Sequence, residues 1–161
     1  MDQATQIENF RKFLQPQIGR ETHVGPWLQI DQQRINQFAE VTGDQQWIHI
    51  DPERAKKESP YGTTVAHGYL TLSLLPALTE SNHPDFFQRN YPGMKYRVNY
   101  GLNRVRFPAP VKVGEKIRAK TTIQSAEEVK NGVQICYIIT VEIGGGEKPA
   151  CSVEFLARVY P

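Results

Sequence analysis

Asp44 and His49 are two residues of this sequence whose types suit proton chemistry. A carboxylate held against an imidazole fixes the tautomer of the ring and raises its basicity, which is what the activation of a water molecule requires. On a continuous helix, five positions would turn the two side chains about 140° apart, so they converge only if the chain leaves the helix between them. The alternative is that Asp44 caps the next turn and His49 is a packed surface histidine, and both interpretations stay open.

Gly68 is a second candidate, near the start of an apolar helix predicted over residues 65–78. The first N–H groups of a helix have no partner within it, and a glycine lets a substrate carbonyl approach them closely. This position therefore predicts an oxyanion hole. The alternative is that Gly68 only allows tight packing.

The elements around the acidic and imidazole pair favour their convergence. Asp31 suits an N-cap and Gly43 suits the residue after a helix, so a short amphipathic helix is predicted over 32–42. Residues 44–51 follow no clean period, which predicts a loop, and Pro52 begins another helical turn. A loop is what the pair needs.

The predicted helix over 65–78 contains no Asp, Glu, Lys or Arg and is apolar nearly all round. Such a helix must be enclosed by other structure. Pro76 lacks the N–H of a helical residue and disfavours helical geometry at the preceding position, so a kink or an early end is expected there.

The second half of the chain changes to a period of two, which indicates strands. Strands are predicted over 96–107, 117–123, 133–143 and 151–159, with a short first strand over 24–30. Asn131-Gly132 and Gly144–Gly146 mark turns, and a change of phase predicts a bulge near Asn103. The simplest arrangement is an α+β fold in which an antiparallel sheet of at least four meandering strands, plus the first strand, wraps around the central buried helix. Unpaired edge strands favour pairing with a second copy.

Composition narrows the classes of protein. The 161 residues fit a single domain over 1–161 in which residues 1–20 form a polar N-terminal extension, and 39% hydrophobic residues exclude general disorder. A net charge of +2 gives no reason to expect nucleic acid, and no apolar run is long enough to span a membrane. The start shows no cleavable hydrophobic stretch, so a cytoplasmic location is expected.

Cys136 and Cys151 have no metal-ligand spacing and are expected to be reduced core residues, with a cross-strand disulfide as the alternative.

Two segments together carry a resemblance to a known family: TGDQQWIHIDP over 42–52 and YGTTVAHGYLTLSL over 61–74. They are similar to the MaoC-like dehydratases, which include the (R)-specific enoyl-CoA hydratases. The segment NYGLNRVRFPAPV over 99–111 matches the same pattern. The resemblance covers about residues 20–160 and is nearest to the NodN-like branch.

This resemblance implies a hot dog fold and a hydro-lyase that adds water to a trans-2-enoyl thioester to give an (R)-3-hydroxyacyl thioester, an activity of fatty acid metabolism. It implies that Asp44 and His49 position and activate the water and that the Gly68 N–H binds the thioester oxygen. The residues that it places around the substrate are Gln46, Trp47, Ala66, His67 and Tyr69. It further implies a homodimer, no metal, and no cofactor except the coenzyme A of an acyl-CoA, with an acyl-carrier thioester as the other possible substrate.

The sequence departs from the wider hydratase motif at three positions. Gln46 and Trp47 stand where that motif has Asn and Pro, and Pro76 stands where some hydratases have a serine. Two other functions remain open at this level: an acyl-CoA thioesterase, because one fold hosts several chemistries, and a non-catalytic acyl-thioester binding module.

Overall fold

The computed structural model describes residues 1–161. Its strands form a single antiparallel sheet. Its helices are α1 (Gln3–Leu14), α2 (Gln32–Thr42), α3 (Trp47–Ile50), α4 (Pro52–Glu58), α5 (Gly68–Ser73), α6 (Leu75–Leu78) and α7 (Pro84–Asn90). Its strands are β1 (Glu21–Val24), β2 (Leu28–Gln29), β3 (Tyr96–Arg106), β4 (Lys116–Val129), β5 (Gly132–Ile143) and β6 (Cys151–Tyr160). None of the helices has the length and hydropathy needed to cross a bilayer.

The strands pair in the order β1-β4-β5-β6-β3, and β2 also pairs with β4. The antiparallel sheet is confirmed. The predicted meander holds for β4, β5 and β6, whereas β3 pairs with β6 and not with β4, the next strand in the sequence. The long strand β3 therefore lies at an edge. The change of phase near Asn103 is also confirmed, because the register shifts between Leu102 and Val105.

The single strand predicted over 24–30 is wrong, because the chain forms β1 and β2 with a break between them. Gly25 lies in this break, and a Cβ there would stand 1.7 Å from the backbone oxygen of Leu78. The close approach to the end of α6 interrupts the strand, and Pro26 next to it has no N–H to donate.

The prediction of α2 is confirmed at both ends. Asp31 accepts a 2.8 Å hydrogen bond from the Arg34 N–H, and Gly43 ends the helix in the left-handed conformation with a φ of 76°. The buried side of this helix carries Ile35 and Ala39, so its exit is fixed against the core. The residue that follows Gly43 is Asp44.

The predicted helix over 65–78 begins later and is interrupted. Val65 is extended and bridges Lys112, so the helix starts only at Gly68. It breaks at Leu74, and Pro76 lies in the first turn of α6, where a missing N–H costs little. The interruption near the proline is confirmed, whereas the bounds of the helix are corrected.

The N-terminal segment is more than a polar extension, because α1 contributes Ile7, Phe10 and Leu14 to the core. These residues recur at helical spacing, and the helix packs against β4 and β5. The helix α7 was also not predicted. Asp2 caps α1 by accepting a 2.8 Å hydrogen bond from the Thr5 N–H.

Cys136 and Cys151 are free and buried, as predicted. Burial raises the pKa of the Cys151 thiol to about 11. Burial is also the main cause that raises the pKa of Cys136. Both thiols therefore stay protonated at neutral pH and lack the thiolate that nucleophilic chemistry needs.

Candidate active site

The segment after α2 brings Asp44 and His49 to one place. The left-handed turn at Gly43 ends α2, and Asp44 lies in the short irregular stretch that follows. His49 lies in the one-turn helix α3, where its N–H donates to the Gln46 carbonyl oxygen at 3.0 Å. The loop predicted over 44–51 therefore contains a helical turn, but the chain does leave α2 between the two residues, as their convergence requires.

The His49 ring is buried and has one nitrogen committed. The side chain is 7% exposed, and its Nδ1 lies 2.6 Å from the carbonyl oxygen of Val65. Because a carbonyl oxygen only accepts, Nδ1 carries the proton in this bond. In the neutral ring Nε2 is then unprotonated, and it makes no hydrogen bond within the chain. The ring is therefore oriented with a free basic nitrogen.

Burial is the main cause that lowers the pKa of His49 below its ordinary value of 6.5, and the neighbouring His67 lowers it further. The hydrogen bond to Val65 and the carboxylate of Asp44 act in the opposite direction. The neutral ring is thus the dominant form at neutral pH, and a neutral imidazole is the form that can accept a proton.

The carboxylate of Asp44 completes the pair from an exposed position. One ligand atom from each of Asp44, His49 and His67 lies within 4.8 Å of the others. A water molecule can bridge a carboxylate oxygen and a ring nitrogen across a gap of this size, because each hydrogen bond spans about 2.8 Å. The arrangement can therefore hold a water between an acidic and a basic group.

The same three side chains have the spacing of a metal site, but the orientation of the rings favours proton chemistry. The rings of His49 and His67 stack with centroids 3.8 Å apart and planes 25° apart. The lone pair of an imidazole nitrogen lies in the plane of its ring, so two stacked rings cannot both aim at one ion about 2.1 Å away.

A cavity of about 280 Å³ lies beside His49. Its walls are mostly apolar and come from α5, from the extended residues before it, and from residues 107–111. Gly68 lines this cavity, and its N–H finds no acceptor in the chain. A Cβ on Gly68 would stand 2.9 Å from Cδ2 of Phe107, so the glycine permits this packing and keeps the N–H accessible. Another cavity, which includes Arg97 and Tyr137 in its lining, measures only about 30 Å³.

The other predicted substrate residues fall into two groups. Ala66 lines the cavity. His67 is buried outside the lining, and Tyr69 is 68% exposed with its ring packed edge-on against Phe107. Gln46 and Trp47 precede His49 outside the lining, and the guanidinium of Arg54 lies 4.4 Å above the Trp47 ring.

Gln32 is part of this site and was missed by the sequence analysis. Its Nε2 donates to the His49 carbonyl oxygen at 2.7 Å, and its Oε1 accepts from the Thr64 hydroxyl. One amide thus joins α2, α3 and the strand-like residues before α5. No local pattern signals this role, although Gln32 directly follows the N-cap residue Asp31. Thr71 and Phe107, which line the cavity, were not predicted as site residues either.

The sheet wrapped around a short apolar helix, with an acid and imidazole pair beside the start of that helix, defines a hot dog fold of the dehydratase type. Residues 13–143 match the MaoC like domain, and the chain belongs to this family. It is 46% identical over 141 residues to 3-hydroxyacyl-thioester dehydratase Z of Mycobacterium tuberculosis, which covers 87% of this chain and 89% of that protein. It is 38% identical to nodulation protein N of Rhizobium meliloti, over 87% of this chain and 84% of that protein.

Solved structures agree on the fold. The monoamine oxidase regulatory protein of Archaeoglobus superposes with a TM-score of 0.74 at 26% identity, over 89% of this chain and 90% of that one. The unliganded R-hydratase PhaJ1 of Pseudomonas aeruginosa superposes with a TM-score of 0.64 at 22% identity, over 89% and 81% of the two chains. Both likenesses extend over nearly the whole chain, so the fold is that of the family.

We predict that His49 titrates below pH 6.5 in the folded protein, because burial disfavours the charged ring. The folded state then binds fewer protons than the unfolded chain, so the free energy of unfolding should decrease as the pH falls from 6.5 through the folded pKa. A ¹H–¹⁵N NMR titration measures the midpoint, and a spectrum of His49→Gln assigns the resonance. A midpoint at or above 6.5 would contradict the burial argument.

Proposed function

We propose that this protein is a hydro-lyase that adds water to a trans-2-enoyl thioester and gives the (R)-3-hydroxyacyl thioester, and that it also catalyses the reverse dehydration. The observation that carries the proposal is the Asp44 carboxylate within 4.8 Å of a ring nitrogen of a neutral, oriented His49, beside a cavity in a MaoC-like domain. The 46% identity to a 3-hydroxyacyl-thioester dehydratase supports it. The acyl group is carried by coenzyme A or by a carrier protein.

The pair activates one water. Asp44 accepts a hydrogen bond from the water, and Nε2 of His49 takes its other proton as the oxygen forms a bond to C3. The C2=C3 electron pair moves toward the thioester and gives an enolate. The proton held by His49 then passes to C2, so the atoms of one water are added and His49 returns to its neutral form. The same ring must face the water in the first step and C2 in the last. The hydrogen bond from His49 to the Val65 carbonyl oxygen keeps the ring in the orientation that both steps need.

The Gly68 N–H binds the thioester oxygen where the enolate charge develops. Its free N–H and the absence of a side chain allow a close approach, and an N–H donor of this kind contributes about 10²–10³-fold to a rate. General acid–base action contributes about 10²–10⁴-fold. Neither effect alone gives a useful rate of hydration, so the Gly68 N–H and the Asp44–His49 pair act on the same substrate molecule.

The reaction needs no metal and no cofactor except the coenzyme A of an acyl-CoA, because the thioester itself makes C3 electrophilic and the proton is only relayed. Ala66 contacts the reacting part of the substrate from the cavity wall. Gln46, Trp47 and Tyr69 contact parts of the substrate outside the cavity.

The protein forms a homodimer through β3. This strand has 11 residues with a free outer edge, and Tyr96, Val98, Tyr100 and Leu102 on it are exposed. The helices α5 and α6 lie beside this strand. They expose three residues on one side, Tyr69, Ser73 and Ala77. An exposed edge strand with apolar side chains is stabilised when another strand pairs with it. A second copy can pair with β3 and can also bury the exposed side of the helices.

Replacing either member of the pair should abolish most activity. Asp44→Asn and His49→Gln should each lower the hydration of crotonyl-CoA by about 10²–10⁴-fold, because His49→Gln removes the base that takes the proton and Asp44→Asn removes the carboxylate that holds the water. Loss of the absorbance of the conjugated thioester measures the reaction, and circular dichroism checks the fold. Asp85→Asn and His83→Gln, which change exposed groups, are the matched controls. Full activity in a folded Asp44→Asn or His49→Gln protein would refute the mechanism, and release of free thiol from saturated acyl-CoA would identify a thioesterase instead.

Gly68→Ala should lower the hydration rate by about tenfold or more, because the new methyl group meets the Phe107 ring and moves the wall and the N–H apart. Gly68→Ala combined with Phe107→Leu should recover part of the loss. The control is Gly144→Ala, whose Cβ would have its nearest neighbour at an ordinary 3.6 Å. An unchanged rate in Gly68→Ala would show that this packing does not govern the site.

Val98→Lys should convert the dimer to a monomer, because it places a charge on the exposed edge strand. Sedimentation equilibrium measures the mass of the assembly. The control Val41→Lys changes a residue that is 86% exposed on α2, away from this edge, and should stay dimeric. A wild-type protein that sediments as one chain would refute the interface.

A further inference from the structure

We propose that His67 is a positioning residue of the active site, which holds the Asp44 backbone by a hydrogen bond and the His49 ring by stacking. The inference rests on the proposed function, since it concerns the pair that activates water. It assigns His67 a role other than the substrate contact expected from the sequence, because the residue is 2% exposed and does not line the cavity.

Two contacts join His67 to the two catalytic groups. Its Nε2 lies 2.9 Å from the carbonyl oxygen of Asp44. Its ring stacks on His49 with centroids 3.8 Å apart. The ring of Phe38 packs against it with centroids 5.0 Å apart and planes at 57°. His67 therefore lies among α2, the irregular stretch that contains Asp44, and α3, and it precedes the cavity residue Gly68 by one position.

The hydrogen bond fixes which nitrogen of His67 carries the proton. A carbonyl oxygen only accepts, so Nε2 is the donor. Nδ1 is buried and has no hydrogen-bond partner, so a second proton there would be buried without an acceptor. His67 is thus protonated on Nε2, whereas His49 is protonated on Nδ1. The charged and titratable groups beside the ring are the Asp44 carboxylate and His49 itself, and Phe38 adds none.

Each contact restrains a different degree of freedom. Asp44 is exposed and lies in an irregular stretch, so its carboxylate would otherwise move with the loop. The bond to its carbonyl oxygen ties that stretch to the start of α5. The hydrogen bond from His49 Nδ1 to Val65 still allows the imidazole to rotate about the axis of that bond. The stacked His67 ring restricts this rotation. A shift of about 1 Å in a catalytic group can cost about 10²-fold in rate.

Two single variants separate the contacts. His67→Phe keeps a ring for stacking and removes the donor, whereas His67→Gln places an amide N–H near the position of Nε2 and removes the ring. We expect His67→Phe to lower kcat for crotonyl-CoA by about tenfold or more with KM within about threefold, because the loss concerns the reacting groups. His67→Gln should recover part of this loss. The exposed His83→Gln is the control and should match the wild type.

A double-mutant cycle distinguishes positioning from packing. If His67 acts through Asp44, the change Asp44→Asn should cost at least about tenfold less in the His67→Phe background than in the wild type. A residue that only packs the core would leave the cost of Asp44→Asn the same in both backgrounds, and this result would overturn the inference. Equal kcat in wild type and folded His67→Phe would do so as well. If His67→Phe does not fold, the same cycle is measured with His67→Leu, which also lacks the donor to Asp44.

An NMR measurement decides the inference without turnover. Long-range ¹H–¹⁵N spectra of the wild type should show a proton on Nε2 of His67 and on Nδ1 of His49. In His67→Gln, the pKa of His49 should move toward 6.5, because the stacked ring that helps to bury the His49 imidazole is gone. A proton on Nδ1 of His67, or an unchanged His49 titration, would overturn the inference. A wild-type protein that hydrates no enoyl thioester would refute the proposed function alone, because these spectra do not depend on activity.

Discussion

The hydrogen bond from His49 Nδ1–H to the Val65 carbonyl oxygen, 2.6 Å long, is the contact on which the site depends. It joins two segments that are sixteen residues apart. The same two segments share a second bond, from the Val65 N–H to the Ile48 carbonyl oxygen at 3.1 Å. Together the bonds let the imidazole be buried without an unpaired donor, which would otherwise cost about 1–3 kcal/mol. Burial then keeps the ring neutral, and the neutral ring is the base that hydration needs.

Val65 is itself held by the segment that precedes β4. On its other side, the Ala66 N–H donates to the Val111 carbonyl oxygen at 2.8 Å, and the Val113 N–H donates to the Thr64 carbonyl oxygen at 3.0 Å. Residues 111–113 lead directly into β4, the strand that pairs with β1, β2 and β5. The position of the His49 imidazole is therefore tied through Val65 to the segment that leads into β4. A site held in this way keeps its geometry although Asp44 lies at the surface.

Local signals predicted those parts of the fold that local chemistry decides. The caps of α2 at Asp31 and Gly43, the turn at Asn131 with a φ of 65°, and the interruption before Pro76 were all predicted from residue type and spacing. The start of α5 was placed three residues too early, because Thr64–Ala66 find their partners in residues 111–113, which no local pattern reveals. The helix α1 carried a signal, Ile7, Phe10 and Leu14 at helical spacing, that polar neighbours obscured.

The candidate site divides in the same way. The convergence of Asp44 and His49 was argued from the need for a break after α2, and their roles came from the family resemblance. The contacts of Gln32 and His67 join segments far apart in the sequence, so they could be found only in the folded chain. Residue type predicted which groups can move a proton, whereas tertiary contacts decide which nitrogen does so.

The short helix α5 connects the cavity to the surface that a second copy covers in the proposed dimer. Gly68 and Thr71 face the cavity, and the intervening Tyr69 lies on the exposed side. Tyr69 packs edge-on against Phe107 with ring centroids 6.1 Å apart, and Phe107 is the ring that closes over Gly68. In the dimer proposed above, a partner that covers Tyr69 also restricts Phe107. Assembly would thus fix the Phe107 wall of the cavity, and the distance between the Gly68 N–H and the thioester oxygen would depend on the partner without any catalytic group crossing the interface.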